Sequence, residues 1–365
     1  MERPKKIEIF KYQRTSNPSI VPQNPKISIK TRPIIAEREI SMPSPNHSEV
    51  KIDPKSMKEA TRFINDVGEV VDSIHDILSN SVNFNVVSAI GPQGSGKSTI
   101  LSMLAGNNSR HMYREYYFRP TSREANESSK HQTLKIEIYI TMHHIFIDCQ
   151  PIHGVSVLEY VSRSSKFDES AGSYDTLRLL SFLLFVSHTV LVCTESYIDM
   201  NLIKTIRTAE LIRPYLNNFE PKISLERKTN LVFIHTKAHK SDFAPCVIEE
   251  REELLENMFK DSKWLRVSKN NNAKILYPFA ELKVRKDQLY EGELNVEEDD
   301  DSSLIFDESI AKLRHELLKN RDQFTEVNGA MDEKKWAEMC REVMRDPVMI
   351  NSLRVYSRLS TDIMR

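Results

Sequence analysis

The chain contains few cysteines, almost no net charge and no long apolar run, and each absence excludes a class of protein. Its four cysteines among 365 residues stand far apart and form no C-x-x-C pair, so neither a zinc site nor a disulfide framework is indicated. A formal net charge of -1 carries no overall signature of nucleic-acid binding. No apolar signal segment opens the sequence, and no stretch reaches the roughly 18 apolar residues of a membrane span. We therefore expect a soluble, cytoplasmic protein with no direct nucleic-acid or membrane partner.

Glycine is absent from residues 1–55, which instead contain eight prolines among scattered lysines and arginines. Such a composition buries too little apolar surface to offset the entropy of ordering the chain. We predict a disordered, proline-rich basic tail. It serves either as a flexible linker or, through short stretches such as "KISIK" and "PIIAEREI", as a segment that adds to a partner.

The stretch "AIGPQGSGKSTILSMLAG", residues 89–106, has the spacing of a phosphate-binding loop. Gly91 is followed by four residues and then by Gly96, Lys97 and Ser98, a pattern in which backbone N–H groups surround phosphates and the hydroxyl holds Mg²⁺. A run rich in β-branched residues precedes the loop and a helical pattern follows it, which is the required order. The residues that we expect to contact a nucleotide here are Gly91, Gln93, Gly94, Ser95, Gly96, Lys97, Ser98 and Thr99.

Hydrophobic patterns after the loop predict an α/β fold. Four later segments look like buried strands, and the segments between them are long enough for crossover helices. We predict a P-loop NTPase fold resembling a G domain, with a mostly parallel sheet and helices on both faces. The strand segments are "HIFIDCQP", "HTVLVCT", "NLVFIHT" and "AKILYPF".

Other patterns define the limits of this predicted domain. Apolar residues at helical spacing predict an amphipathic helix over residues 56–80, and the strict alternation of "LKIEIYI" predicts a strand at the sheet edge. We predict a G-like domain over 56–290 and an acidic loop over 291–303. Residues 304–365 have helical periodicity and are expected to form a helical part packed on the sheet.

The metal and switch motifs of a regulatory GTPase are only partly present. Thr133 occupies the position of the switch threonine, and Asp148 that of the acid at the end of a buried strand. We therefore expect Ser98, Thr133 and Asp148 to hold Mg²⁺. Thr133 serves equally well as an ordinary residue that begins a strand. Pro151 stands where a glycine N–H would sense the γ-phosphate, and no glutamine follows it to orient a water. We expect hydrolysis to be slow at most, and we assign no catalytic residue.

Base recognition is also altered. Lys237 can lie along a purine ring, but His239 replaces the aspartate that would accept two N–H bonds from guanine. Asp242 could substitute only if the loop bends. We therefore predict a purine nucleotide, GDP/GTP or ADP/ATP, with Lys237 and His239 at its base.

These motifs resemble a known family. "VVSAIGPQGSGKSTILSMLAG", "KHQT" and "HHIFIDCQPI" resemble the G-domain factors of nonsense-mediated mRNA decay known as SMG number nine, in a nematode-like form, and Asp148-Cys149-Gln150-Pro151-Ile152 resembles the family's Asp-Thr-Gln-Pro-Ile. The resemblance implies a regulatory subunit whose G-like domain forms a heterodimer with the sister factor SMG number eight. It also implies that this pair binds and regulates a kinase related to phosphatidylinositol 3-kinase.

Two other classes share the glycine loop. An active GTPase or ATPase switch would use the intact loop with Asp148, and a nucleotide or nucleoside kinase would need an arginine-rich lid such as residues 110–123 could form. The aromatic content of that segment fits an interface at least as well. The expected function is a nucleotide-binding scaffold, with an active NTPase switch as the alternative.

Overall fold

The computed structural model describes residues 57–107, 116–120, 130, 132–157, 159, 169–196, 198–215, 227–267, 274–280, 300–319, 324–326 and 329–364. The predicted tail over 1–55 lies outside these residues, as do most of the predicted acidic loop and much of the segment 110–123. Among the described helices, none is both long and apolar enough to cross a membrane.

An eight-stranded mixed sheet forms the centre of the described part. Its path runs β1-β3-β4-β2-β5-β6-β7, and β8 also pairs with β6. The β4, β2, β5 and β6 strands, with β7 and β8, are parallel, whereas β1 and β4 each pair with β3 in antiparallel fashion. The strands are β1 (Thr61–Ile64), β2 (Asn85–Ile90), β3 (Ile136–Ile140), β4 (His144–Cys149), β5 (Thr189–Thr194), β6 (Thr229–Ala238), β7 (Leu265–Arg266) and β8 (Leu276–Ala280), and a small separate hairpin joins β9 (Thr325–Glu326) to β10 (Gly329–Ala330).

Helices cover both faces of this sheet. The described helices are α1 (Lys97–Ala105), α2 (Glu169–Val186), α3 (Met200–Leu211), α4 (Pro245–Met258), α5 (Asp300–Lys319), α6 (Glu333–Arg345) and α7 (Pro347–Met364). Apolar residues of α1 and α5 form one core layer, and those of α2, α3, α4, α6 and α7 form the other. The α/β class is therefore confirmed, with a sheet that is mixed because of the antiparallel pairs at its β1 side.

The predicted amphipathic helix over 56–80 is wrong. This segment contains β1 and a short 3₁₀ helix, Asp72–Asp76. Between them the side chain of Asn65 accepts hydrogen bonds from two backbone N–H groups, Gly68 takes a φ of 85°, and the chain reverses. Tertiary pairing with β3 therefore overrides the helical spacing of the apolar residues. The prediction that "LKIEIYI" forms an edge strand is also wrong, because this segment is β3, which lies inside the sheet between β1 and β4.

The C-terminal helices belong to the hydrophobic core. Trp336 of α6 is fully buried, its ring stacks on Phe63 of β1 at 5.7 Å, and its indole N–H donates to the carbonyl of Val186 at 2.9 Å. On the other face, α5 begins at Asp300, so the last residues of the predicted acidic loop are helical. The described part of the sheet domain and the C-terminal helices thus share one pair of core layers.

Candidate functional site

The glycine loop connects the end of β2 to the start of α1. Gly96 caps α1 with a left-handed φ of 77°, and Gly91 has a φ of 149°. A Cβ on Gly91 would lie 2.0 Å from the carbonyl oxygen of Cys193 on β5, so only glycine fits there. The loop therefore lies directly against the sheet at the carboxyl ends of its parallel strands, and the N–H groups at the start of α1 are available to an anion.

Lys97 is nearly buried at the first position of α1. Its ammonium group donates a hydrogen bond of 2.8 Å to the carbonyl oxygen of Pro92, and the hydroxyl of Ser95 donates to the same oxygen at 2.8 Å. The charge of Lys97 is thus held over the loop, where an anion would lie. Thr99 follows on the first turn of the same helix.

Ser98, Thr133 and Asp148 come together although they are widely separated in the sequence. The hydroxyls of Ser98 and Thr133 donate to the same oxygen, Oδ2 of Asp148, at 2.6 and 2.9 Å. Asp148 is completely buried, and its other oxygen, Oδ1, has no hydrogen-bond partner among the described residues. Burial raises the pKa of Asp148, against the opposing effects of Lys97 and the two hydroxyls.

This set of groups fits a hard cation. Two hydroxyl oxygens and a carboxylate are the ligand types that Mg²⁺ binds, and a buried carboxylate oxygen without a donor is stabilised when a cation approaches it. The predicted ligands are therefore adjacent, and their role in binding a metal stays a prediction.

The segment that follows Asp148 is fixed on both sides. Gln150 accepts a hydrogen bond from the backbone N–H of Lys135 at 3.1 Å and donates one to Asp175 at 3.1 Å. The ammonium of Lys135 also lies 2.6 Å from the same oxygen of Asp175, in a largely buried ion pair. Beyond Pro151, the N–H of Ile152 donates to the carbonyl of Gly91 at 3.0 Å. Both α2 and the glycine loop therefore hold this segment.

Gln93 ties two further segments to the loop. Its amide N–H donates to the carbonyl oxygen of Lys130 at 3.0 Å, and its oxygen accepts a bond from the hydroxyl of Ser156 at 3.1 Å. One side chain therefore connects the chain before Thr133 with the chain after Pro151.

The predicted base side is formed by the end of β6. The hydroxyl of Thr236 donates to the carbonyl of Ser95 at 3.3 Å, and Lys237, with a φ of 55°, forms an ion pair with Glu195. Lys237 is thus next to the loop, but its ammonium group is engaged by the carboxylate of Glu195, which no sequence motif indicates.

Asp242 does not replace the missing guanine-binding carboxylate. One of its oxygens accepts the N–H of His239 at 2.8 Å and the other accepts a bond from Arg251 at 2.7 Å. Burial acts to raise the pKa of Asp242, but the bonds to Arg251 and His239 hold this pKa below its ordinary value. Binding to a purine would require Asp242 to give up both partners.

Comparison with known proteins identifies the family. No protein-family model matches the chain. It is 53% identical over 377 residues to the nonsense-mediated mRNA decay factor SMG9 of Caenorhabditis briggsae, a match that covers 98% of this chain and 97% of the relative. The Caenorhabditis elegans SMG9 factor is 53% identical over 376 residues, with 99% and 95% covered. The chain belongs to the SMG9 family of nonsense-mediated mRNA decay factors. The SMG9 factor of Xenopus laevis is 26% identical over 225 residues, which cover 57% of this chain and 44% of the relative.

In this SMG9-family chain the structure also reveals residues that the motifs did not indicate. Glu137 of β3 pairs in register with Asp148 of β4, and burial, together with the charge of Asp148, raises the pKa of Glu137 to about 7. The Lys135–Asp175 ion pair is a second such feature. Neither feature has a local sequence signal, because each depends on strand register or on a helix that packs from a distant part of the chain.

Proposed function

We propose that this SMG9-family chain is a nucleotide-binding scaffold subunit of nonsense-mediated mRNA decay. In this proposal it binds a purine nucleotide with Mg²⁺ at the glycine loop and pairs its G-like domain with the sister factor SMG number eight. The pair then regulates a kinase related to phosphatidylinositol 3-kinase. The observation that carries the nucleotide part is the cluster of Ser98, Thr133 and Asp148 beside the loop.

The residues of the loop divide the binding of a nucleotide among them. The N–H groups from Gly94 to Ser98 would bind phosphate oxygens, and the ammonium group of Lys97, now bonded to the carbonyl of Pro92, would turn to a phosphate. Ser98 and Thr133 would offer hydroxyl oxygens to the metal, and Asp148 would accept hydrogen bonds from these hydroxyls or from a metal-bound water. When bound, Mg²⁺ neutralises charge on the phosphates.

A scaffold is favoured over a cycling switch because the segment after Asp148 is held in place. A switch senses the γ-phosphate through a backbone N–H that moves toward it, but Pro151 has no N–H to donate. Its neighbour Gln150 is bonded to α2 and to Lys135, the residue before β3, and its neighbour Ile152 is bonded to the glycine loop. Bound nucleotide in this arrangement stabilises the fold by mass action without requiring turnover.

The first experiment identifies the nucleotide. The full chain is purified with its candidate partner and denatured, and the released nucleotide is analysed by chromatography, alongside Lys97→Ala and a control, Lys204→Ala, on the exposed surface of α3. We expect a nucleotide in near-equal amount to protein in the wild type and the control, and its loss in Lys97→Ala. Complexes that form normally with an empty site in all three would reject the nucleotide part of the proposal.

The partner part is tested separately. Mixing the chain with SMG number eight should give a one-to-one complex by light scattering, and adding this complex should change the activity of the purified kinase. A chain that stays monomeric in the mixture, with unchanged kinase activity, would reject this part whatever the nucleotide result.

An active NTPase is the second candidate, because the glycine loop, Lys97 and Asp148 are all in place. Multiple-turnover phosphate release distinguishes it from a scaffold. A steady rate that disappears in Lys97→Ala would establish an enzyme, while a rate equal in both proteins would support the scaffold.

A further inference from the structure

Two carboxylates lie next to each other across β3 and β4. Glu137 is the direct register partner of Asp148 in this antiparallel pair. Side chains at such positions project from the same face of a sheet, with Cβ atoms about 4.5–5.5 Å apart. Like charges placed directly opposite each other destabilise a sheet unless positive charge compensates them.

The positive side chains around Glu137 are bonded to other groups. Arg62 and Arg119, whose charges act on Glu137, are paired with Asp66 at 3.0 Å and with Glu59 at 2.7 Å. Within the part of the chain that the structure describes, no hydrogen bond or ion pair reaches the Glu137 carboxylate. The neighbouring pair is therefore not neutralised by direct contacts of Glu137.

Asp148, the buried member of the pair, also has a carboxylate oxygen without a hydrogen-bond partner among the described residues. Oδ2 of Asp148 accepts both Ser98 and Thr133, but Oδ1 is buried without a hydrogen-bond partner among the described residues. An isolated oxygen of this kind costs free energy unless a proton, water or cation reaches it. A divalent cation would satisfy Oδ1 and relieve the repulsion from Glu137 at the same time.

We propose that Glu137 is a second carboxylate of the metal site, acting beside Asp148 through a metal-bound water. This inference rests on the proposed function and deepens it. A hard divalent cation gains affinity from each added carboxylate, so the chain retains its metal even when the nucleotide carries no γ-phosphate. Glu137 is a positioning residue in this proposal. If it served only as the cross-strand neighbour of Arg62, its replacement would not change the affinity for a metal.

The test measures Mn²⁺ binding to the full chain by electron paramagnetic resonance, with Mn²⁺ alone and with Mn²⁺ plus GDP. The variants are Glu137→Gln, the control Glu253→Gln, which removes an exposed carboxylate of α4, and Asp148→Asn. We expect the Kd for Mn²⁺ to rise about tenfold in Glu137→Gln, because residues that support metal ligands have effects of this size. The control should stay within about twofold of wild type, and Asp148→Asn should lose binding.

Thermal unfolding gives a second readout whose sign is diagnostic. In a chelator, Glu137→Gln should unfold about 1–3 °C above wild type, because the repulsion is gone. With Mn²⁺ present the order should reverse. A loss of stability in Glu137→Gln that is equal with and without Mn²⁺, or a Kd that does not change, would overturn the inference and leave the proposed function standing. If the wild type binds no Mn²⁺ even with GDP and matches Asp148→Asn, the metal part of the proposed function fails and the inference fails with it.

Discussion

The backbone N–H of Ile152 donates a 3.0 Å hydrogen bond to the carbonyl oxygen of Gly91. Ile152 is itself buried in the core, so the bond and the side chain hold the same residue from two directions. Pro151, immediately before it, contributes a fixed φ and no donor. The chain after Asp148 is therefore part of the rigid frame of the glycine loop, in contrast to the mobile segment of a nucleotide switch.

Replacing Pro151 by glycine tests whether this rigidity limits turnover. Pro151→Gly restores a backbone N–H but gives the unfolded chain more freedom, so we expect the unfolding free energy to fall by about 0.5–1 kcal/mol. Phosphate release should not increase, since the bonds of Gln150 and Ile152 remain and no glutamine follows to orient water. Denaturant unfolding and a phosphate-release assay measure both quantities. A tenfold gain in turnover would show that the missing N–H alone disables a switch.

Gly91→Ala should be far more harmful than Gly94→Ala. Both glycines have positive φ, 149° and 78°, so each substitution introduces backbone strain of about 1–2 kcal/mol. The new Cβ at position 91 would lie 2.0 Å from the carbonyl oxygen of Cys193. Among the described residues, the one at position 94 would meet only Glu195 Oε1, at 3.8 Å. We expect Gly91→Ala to lose more than about 3 kcal/mol or fail to fold. Equal unfolding midpoints would disprove this close approach of loop and sheet.

Asp175→Ala should destabilise the fold strongly. The substitution leaves the ammonium of Lys135 and the amide of Gln150 without their shared acceptor in a largely buried position, at an expected cost of about 3 kcal/mol. Glu308→Ala is the matched control, because its ion pair with Lys312 is exposed to solvent and is expected to contribute little to stability. Urea unfolding of both variants decides the point, and similar losses in the two would contradict the structural role of Asp175.

The parts of this fold that sequence predicts are those with a local signal. The hydrophobic period predicts α1 and six strands, namely β2, β3, β4, β5, β6 and β8. Acids or hydroxyls at strand and helix ends predict the clustering of Ser98, Thr133 and Asp148. The apolar residues of β1 fit both the helical and the strand period, so the sequence alone predicts a helix there. Pairing with β3 makes the segment a strand. The Lys135–Asp175 pair and the register of Glu137 depend on contacts between distant segments. No local pattern encodes such contacts.

His188 makes the stability of the fold depend on pH. Its ring is buried, with the ring centroid 4.1 Å from that of Phe324, and Nδ1 accepts a hydrogen bond of 2.8 Å from the backbone N–H of Val86. Burial, followed by the charge of Arg227, holds the pKa of His188 well below its ordinary value. The folded chain therefore keeps this ring neutral where the unfolded chain takes up a proton.

The sign of the effect follows from this difference in proton uptake. The contribution of His188 is fully present above the unfolded pKa of about 6.5 and is lost as the pH falls below it, with a slope of up to about 1.4 kcal/mol per pH unit. His188→Asn keeps an acceptor for Val86 but cannot titrate, so it should be less stable than wild type at about pH 7.5 and lose less stability on going to about pH 5. Urea unfolding at both pH values measures this, with exposed His143→Asn as a control that should retain the wild-type dependence. If wild type and His188→Asn lose equal free energy between the two conditions, the acid sensitivity comes from other groups and His188 has only a packing role.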